Sequence, residues 1–145
     1  LVGSGNDISG MEESGIPRRI NRQKYDLDEL THTLTDKVSL QFEIFNRYRS
    51  LVYSRTQQSA LHPNGDQVVL DIDNRQVLGF SRTNPDKTES IIVLYNFSCK
   101  KQTIRIKNNS KHSGTDLIVK EQVILSNPIT LAPLMFRWVK LNVPA

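Results

Sequence analysis

The chain has 145 residues, 37% hydrophobic and 23% charged, with a formal net charge of +4. That composition suits one ordinary soluble domain, large enough to bury roughly two thirds of its unfolded surface. It excludes a membrane span, which needs roughly 20 consecutive apolar residues, and 1–15 has neither the basic start nor the apolar core of a signal peptide.

In chain order, 1–24 reads as a loop, with four of the seven glycines, one Pro and a basic knot of Arg18, Arg19 and Arg22. The opening without Met, inside Gly3-Ser4-Gly5-Asn6-Asp7, predicts that the native N-terminus lies upstream. At Tyr25-Asp26-Leu27-Asp28-Glu29-Leu30 a helix begins: Asp26 accepts from first-turn amides, and Glu29 stands three positions on, as in a capping box. Asp36 is the expected cap of a second helix running to about Thr56. Its stripe of Val38, Phe42, Phe45 and Val52 is widened by Leu40, Ile44 and Leu51, so that it needs cover on more than one side.

After His62-Pro63-Asn64-Gly65 the period becomes two. Val68 to Ile72 and Val77 to Phe80 flank a tight turn at Asp73-Asn74-Arg75, and Asn84-Pro85-Asp86-Lys87 is a second turn. The nearly continuous run from Ile91 to Phe97 predicts a central strand covered on both faces. Between Gln102 and Lys107, Ile104 and Ile106 point one way while Thr103, Arg105 and Lys107 face water. Further strands over 116–125 and 134–141 complete six to eight short strands, implying a sandwich or Greek-key sheet. The fold class is therefore α+β, divided as 1–58, loop and helices packed on the remainder, and 59–145, an antiparallel β domain. Cys99, at the end of an apolar run, is expected to be packed or half-buried, and its solitude suits a reducing, cytoplasmic compartment.

This order of segments resembles the end of an enzyme of the α-amylase superfamily. It ends with Ala60-Leu61-His62-Pro63-Asn64-Gly65, the strands and Leu131-Ala132-Pro133 before an aromatic strand. Gly5-Asn6-Asp7 followed by Gly15-Ile16-Pro17-Arg18-Arg19-Ile20-Asn21-Arg22 and Tyr25 is similar to the sucrose phosphorylase branch, and Ile20-Asn21-Arg22 is the most specific match. The resemblance implies that 1–58 is the post-strand-8 loop and helix-8 segment of a catalytic barrel, the barrel itself being a missing partner. It implies a parent that transfers glucosyl from sucrose or a related glucoside to phosphate with retention, through a nucleophile and an acid/base. Those two, and the stabilising aspartate, fall upstream of this segment, so no catalytic residue is expected in it, and no cofactor. Arg22 carries over as a group beside the glucosyl site, and Asn6 and Asp7 as its rim; a fixed guanidinium can hold carboxylates or sugar hydroxyls through paired hydrogen bonds. The hairpin at 116–125 departs from the family, with Val119-Lys120-Glu121 where a Thr-Gly turn is usual. Sucrose, sucrose phosphate and glucosylglycerate stay open as substrates.

Plainer readings compete at each feature. His32, His62 and His112 are too scattered for a metal motif, and Asp26, Asp28 and Glu29 are explained by capping. Tyr95, Phe97, Phe136 and Trp138 are assigned to a sandwich core rather than to a sugar platform. Asn96-Phe97-Ser98 and Asn108-Asn109-Ser110 are chance sequons. Lys100, Lys101, Arg105, Lys107 and Lys111 belong to a solvated face, so neither nucleic acid nor membrane is an expected partner. A stand-alone carbohydrate-binding module is the alternative function, for which an exposed aromatic row would be the discriminating observation. The doubly apolar helix predicts self-association of the isolated chain.

Overall fold

A computed structural model describes residues 5–107 and 113–142, and the chain divides into two compact units, Leu1–Tyr53 and Ser54–Ala145. The first unit opens on a minimal antiparallel pair, β1 (Asn6–Asp7) with β2 (Asn21–Arg22). Between them lie a helix, α1 (Ser9–Ser14), and a 3-10 turn, Pro17–Arg19. The expectation of plain loop up to residue 24 is corrected over this stretch. Six residues are too few to show an apolar period, and α1 is defined by its ends instead. Asp7 Oδ1 accepts from the Ser9 amide at 3.1 Å. Gly15 closes the helix at φ 68, its amide donating to the Met11 carbonyl at 2.8 Å, a left-handed conformation that glycine adopts without penalty.

Helix α2 (Leu27–Thr35) starts where the capping residues place it: Asp26 Oδ1 accepts from the amides of Asp28 at 2.9 Å and Glu29 at 3.1 Å. Helix α3 (Leu40–Thr56) does not start on Asp36, which instead closes α2 by donating its amide to His32 O. Ser39 caps α3, its Oγ accepting from the Phe42 amide at 3.0 Å. Val38 therefore precedes the helix and is 91% exposed. No described residue of the first unit is buried: Phe42, Ile44, Phe45 and Leu51 are half-buried, while Leu40, Tyr48 and Val52 are exposed.

The second unit is a β-sandwich. Its larger sheet runs β3 (Asp66–Val69), β4 (Val77–Thr83), β5 (Ser90–Asn96), β10 (Phe136–Leu141), β7 (Ser113–Asp116) and β8 (Gln122–Ile124) in spatial order. A second sheet pairs β6 (Gln102–Ile104) with β9 (Ile129–Leu131). Strand β5 is central, as its continuous apolar run predicted, because it meets two different cores. Ile92 and Leu94 join Ile104, Ile106, Leu125, Leu131 and Val139 between the sheets, while Ile91 and Val93 turn to the opposite face and pack with Ala60, Leu61, Phe80 and Trp138.

The β3–β4 hairpin is wider than a tight turn at 73–75. Pairing ends with Leu70 donating to Gly79 O, and Ile72 leaves to bridge Ile106, because that contact buries it against the inter-sheet core. The Asn84 turn forms as expected, Asn84 Oδ1 accepting from the amides of Thr88 at 2.8 Å and Glu89 at 2.9 Å. In the β7–β8 turn, Lys120 takes φ 62, a left-handed conformation uncommon for residues other than glycine. Cys99 is exposed rather than packed, since β5 ends at Asn96 and the thiol sits in the bend beyond it.

Candidate functional site

The three residues singled out from the sequence come together at one small ladder. Asn6 is the direct partner of Arg22, and Asp7 of Asn21, so 15 intervening residues are folded back to bring the two segments into register. Gln23 secures the pair from one end: its Oε1 accepts from the Gly5 amide at 3.1 Å and its own amide donates to Gly5 O at 3.3 Å. At the other, Gly10 lies so close to the 3-10 turn that an added Cβ would stand 2.9 Å from the Arg19 carbonyl. Only a glycine permits that approach without a shift of the turn. Gly10, Ser9 and Gln23 were missed in the sequence, although the spacing of Asp7 and Ser9 is a recognisable local side-chain-to-backbone turn.

Arg22 and Asn6 are exposed, and Asp7 is half-exposed. The Ser9 hydroxyl donates to Asp7 Oδ1 at 2.6 Å. That bond, then the Ser9 amide and the charge of Lys24, hold the Asp7 carboxyl below the usual carboxylate range despite an opposing contribution from burial. Asp7 is thus an ionised acceptor at neutral pH, not a proton donor. The ladder offers a guanidinium, a primary amide and a carboxylate, groups that hold sugar hydroxyls or an anion. It lacks the second carboxylate that retaining glucosyl transfer needs.

Within the second unit, a cleft of about 270 Å³ is lined by Arg55, Leu61, Phe80, Arg82, Val93 and Trp138 among others. Its Arg82 is already committed, donating to the carbonyls of Ala60 and His62 and to Gln67 Oε1. Beside it, the face of the larger sheet carries an aromatic row: Tyr95 lies 4.2 Å from Phe97 and 6.3 Å from Phe136, which lies 6.3 Å from Trp138. The assignment to the sandwich core is corrected: none of the four aromatics joins the core between the sheets; Trp138 packs against Ile91 and Val93 on the opposite face, Tyr95 and Phe136 are half-buried there, and Phe97 is 61% exposed. Residue 97 follows the last paired residue of β5, so strand alternation no longer governs its side chain.

Asn96 cannot serve as a glycan acceptor, being fully buried with its amide donating to the carbonyls of Lys100 and Ala132. The sequon at Asn108 and two basic-stripe or histidine positions, Lys111 and His112, lie outside the described residues. His32 and His62 are exposed. Among the described residues no group of three or more His, Cys, Asp or Glu side chains is gathered for a metal ion, and no helix is long and apolar enough to cross a membrane.

No family model matches the chain. It is similar to curated proteins named glucosylglycerate phosphorylase. Over 140 residues, 97% of this chain, it is 34% identical to the glucosylglycerate phosphorylase of Escherichia coli, of which the match covers 24%. The glucosylglycerate phosphorylase of Spirochaeta thermophila is 36% identical over 68% of this chain and 16% of its own length. That of Allomeiothermus silvanus is 44% identical over 48% of this chain and 13% of its own. The chain thus spans about a quarter, or less, of the length of the curated relatives it matches.

Proposed function

The chain is a relative of the phosphorylases of the sucrose phosphorylase-like branch of the α-amylase superfamily, and from that premise we propose that it is the non-catalytic C-terminal portion of a glucoside phosphorylase. The parent transfers glucosyl with retention to phosphate, and glucosylglycerate is its donor in preference to sucrose. The choice of donor is supported by the three relatives above, each named for that substrate.

The observation that carries the proposal is the ladder that sets Arg22 opposite Asn6. It accounts for the sequence spacing of Gly5-Asn6-Asp7 and Ile20-Asn21-Arg22: two segments far apart in the chain form one rim. In the parent, Arg22 orients the glucosyl unit or a neighbouring carboxylate, Asn6 and Asp7 border it, and the nucleophile and acid/base come from residues outside this chain. The isolated chain has no phosphorylase activity and self-associates through the exposed apolar side chains of α3. The parent works in the cytoplasm, without cofactor.

The test is a comparison of donors in the complete parent. With phosphate present, glucose 1-phosphate is released from glucosylglycerate with a higher kcat/KM than from sucrose; a clear preference for sucrose refutes the donor assignment. Equal turnover by an Arg22→Ala parent would remove Arg22 from the glucosyl site.

A further inference from the structure

The turn that carries the chain from the Ser59–Leu61 segment into β3 joins an exposed asparagine to a glycine that the fold cannot replace. The Gly65 amide closes it by donating to His62 O at 3.0 Å, and the Asn64 amide donates to His62 Nδ1 at 3.1 Å. A Cβ at residue 65 would stand 2.6 Å from Thr83 O, 3.2 Å from His62 O and 3.3 Å from Ala60 O. These are main-chain carbonyls, which cannot swing aside as the end of a side chain can, so only glycine fits. Asn64 is exposed, and among the described residues its carboxamide has no hydrogen-bond partner.

A free carboxamide beside glycine carries its own chemistry. The Gly65 nitrogen can bond to Asn64 Cγ because no Cβ on the following residue obstructs the approach. The Gly65 amide proton passes through water to the departing nitrogen, the Cγ–Nδ2 bond breaks, and ammonia leaves a cyclic imide. Addition of water opens that ring to aspartate or, at its other carbonyl, to isoaspartate, whose main chain runs through the side-chain carbon. Water enters and ammonia leaves, with no oxidant, reductant or cofactor. Asparagines elsewhere in the second unit are guarded. Asn84 and Asn127 precede prolines, whose nitrogen has no proton to give up; the Asn74 carboxamide donates to Gln102 Oε1 at 2.9 Å, and Asn96 is fully buried. While the turn is closed the Gly65 nitrogen is held toward His62, so the attack follows local opening. Strand β3 favours that opening, being an edge strand of the larger sheet with every residue exposed.

We propose that Asn64 is a self-modification site, its carboxamide lost to attack by the Gly65 nitrogen to leave aspartate and isoaspartate in the turn before β3. The inference does not depend on the proposed function. Either product adds a negative charge near Asp66, and isoaspartate also lengthens the main chain just before the register that begins with Asp66 opposite Thr83. The modified turn therefore loosens the edge of the sheet, and since residue 65 must stay glycine, the fold retains the reactive pair.

The experiment holds the complete protein in mildly alkaline buffer, native and in urea, and follows the tryptic peptide 56–75, which contains both Asn64 and Asn74. Mass spectrometry with fragmentation that distinguishes isoaspartate from aspartate reads each position. In the native protein Asn64 should convert about tenfold or more faster than Asn74, as for a site reached by a smaller local opening. An Asn64→Gln protein should keep the same peptide unmodified over that time. Asn64 intact in the native protein while it converts in urea means that the folded turn seals the site, and overturns the proposal. Conversion at Asn74 as fast as at Asn64, or isoaspartate in the Asn64→Gln peptide, places the reaction elsewhere and refutes it too.

Discussion

Asn96→Ala should unfold much of what joins β5 to the second sheet, because one buried side chain satisfies five polar groups, the Leu131 carbonyl of β9 at 3.4 Å among them. Its Nδ2 donates to Lys100 O and Ala132 O, each at 2.8 Å, and its Oδ1 accepts from the Ser98 amide at 2.9 Å and hydroxyl at 2.8 Å. Each bond contributes about 1 kcal/mol net, and since water can reach the side of the bend at Lys100, a loss of about 3 kcal/mol is expected rather than the full sum. That is a large part of a domain stability of roughly 5–15 kcal/mol. Urea denaturation followed by fluorescence reads it directly, because Trp138 is the single tryptophan and lies in the same unit. Asn96→Asp separates hydrogen bonding from packing. It keeps the acceptor bonds to Ser98 but turns an ionised oxygen on two carbonyls, so it is as destabilising at neutral pH and recovers in acid, when the carboxyl can donate. A loss below about 1 kcal/mol for Asn96→Ala would refute the reasoning, since that is what a single exposed bond contributes.

Glu89 ties the Ser59–Leu61 turn to the sheet. Burial raises its pKa, but the Ala60 amide and the Lys140 ammonium, at 2.9 and 2.5 Å, outweigh that and hold it below its ordinary value of 4.5. Its contribution to stability is therefore complete above that pH and disappears as pH falls through the lower folded value; a Glu89→Gln chain should lose part of its acid dependence in urea melts across pH 3–6. Lys120→Gly should stabilise the second unit by about 0.5 kcal/mol, the left-handed cost at φ 62 being partly offset by glycine's greater unfolded entropy; unchanged or lower stability would contradict that turn geometry. Gly10→Ala should lower turnover of the complete parent by displacing the Arg19 turn that leads to Arg22, with thermal melting little changed, whereas wild-type turnover would separate the turn from the site. Asp26→Ala should cost about 1 kcal/mol of α2 stability, seen as lost helical circular dichroism.

What the sequence disclosed was local chemistry and period. Asp26 could be read as a cap because its oxygen needs only the next three residues, and β5 could be read as central because both faces of its run are apolar. Helix α1 was illegible: its boundaries come from Asp7, Ser9 and Gly15, residues equally at home in loops. The cap of α3 was displaced from Asp36 to Ser39 because both can accept from amides, and the choice depends on where α2 ends. Alternation gathered Tyr95, Phe136 and Trp138 on one face correctly, but period two does not say whether a face is covered. For the site, a resemblance to a family motif pointed to Asn6, Asp7 and Arg22; the backbone ladder that unites them is a contact across 15 residues, which no local pattern specifies.

The most direct measurement of the central claim is glucose 1-phosphate release from glucosylglycerate and phosphate, assayed side by side for the isolated 145-residue chain and for the complete protein it comes from. Product is expected from the complete protein and none from the chain, since Asp7 is an ionised acceptor and no second carboxylate joins the ladder. Enzyme-dependent product from the isolated chain, or none from the complete protein, would contradict that claim.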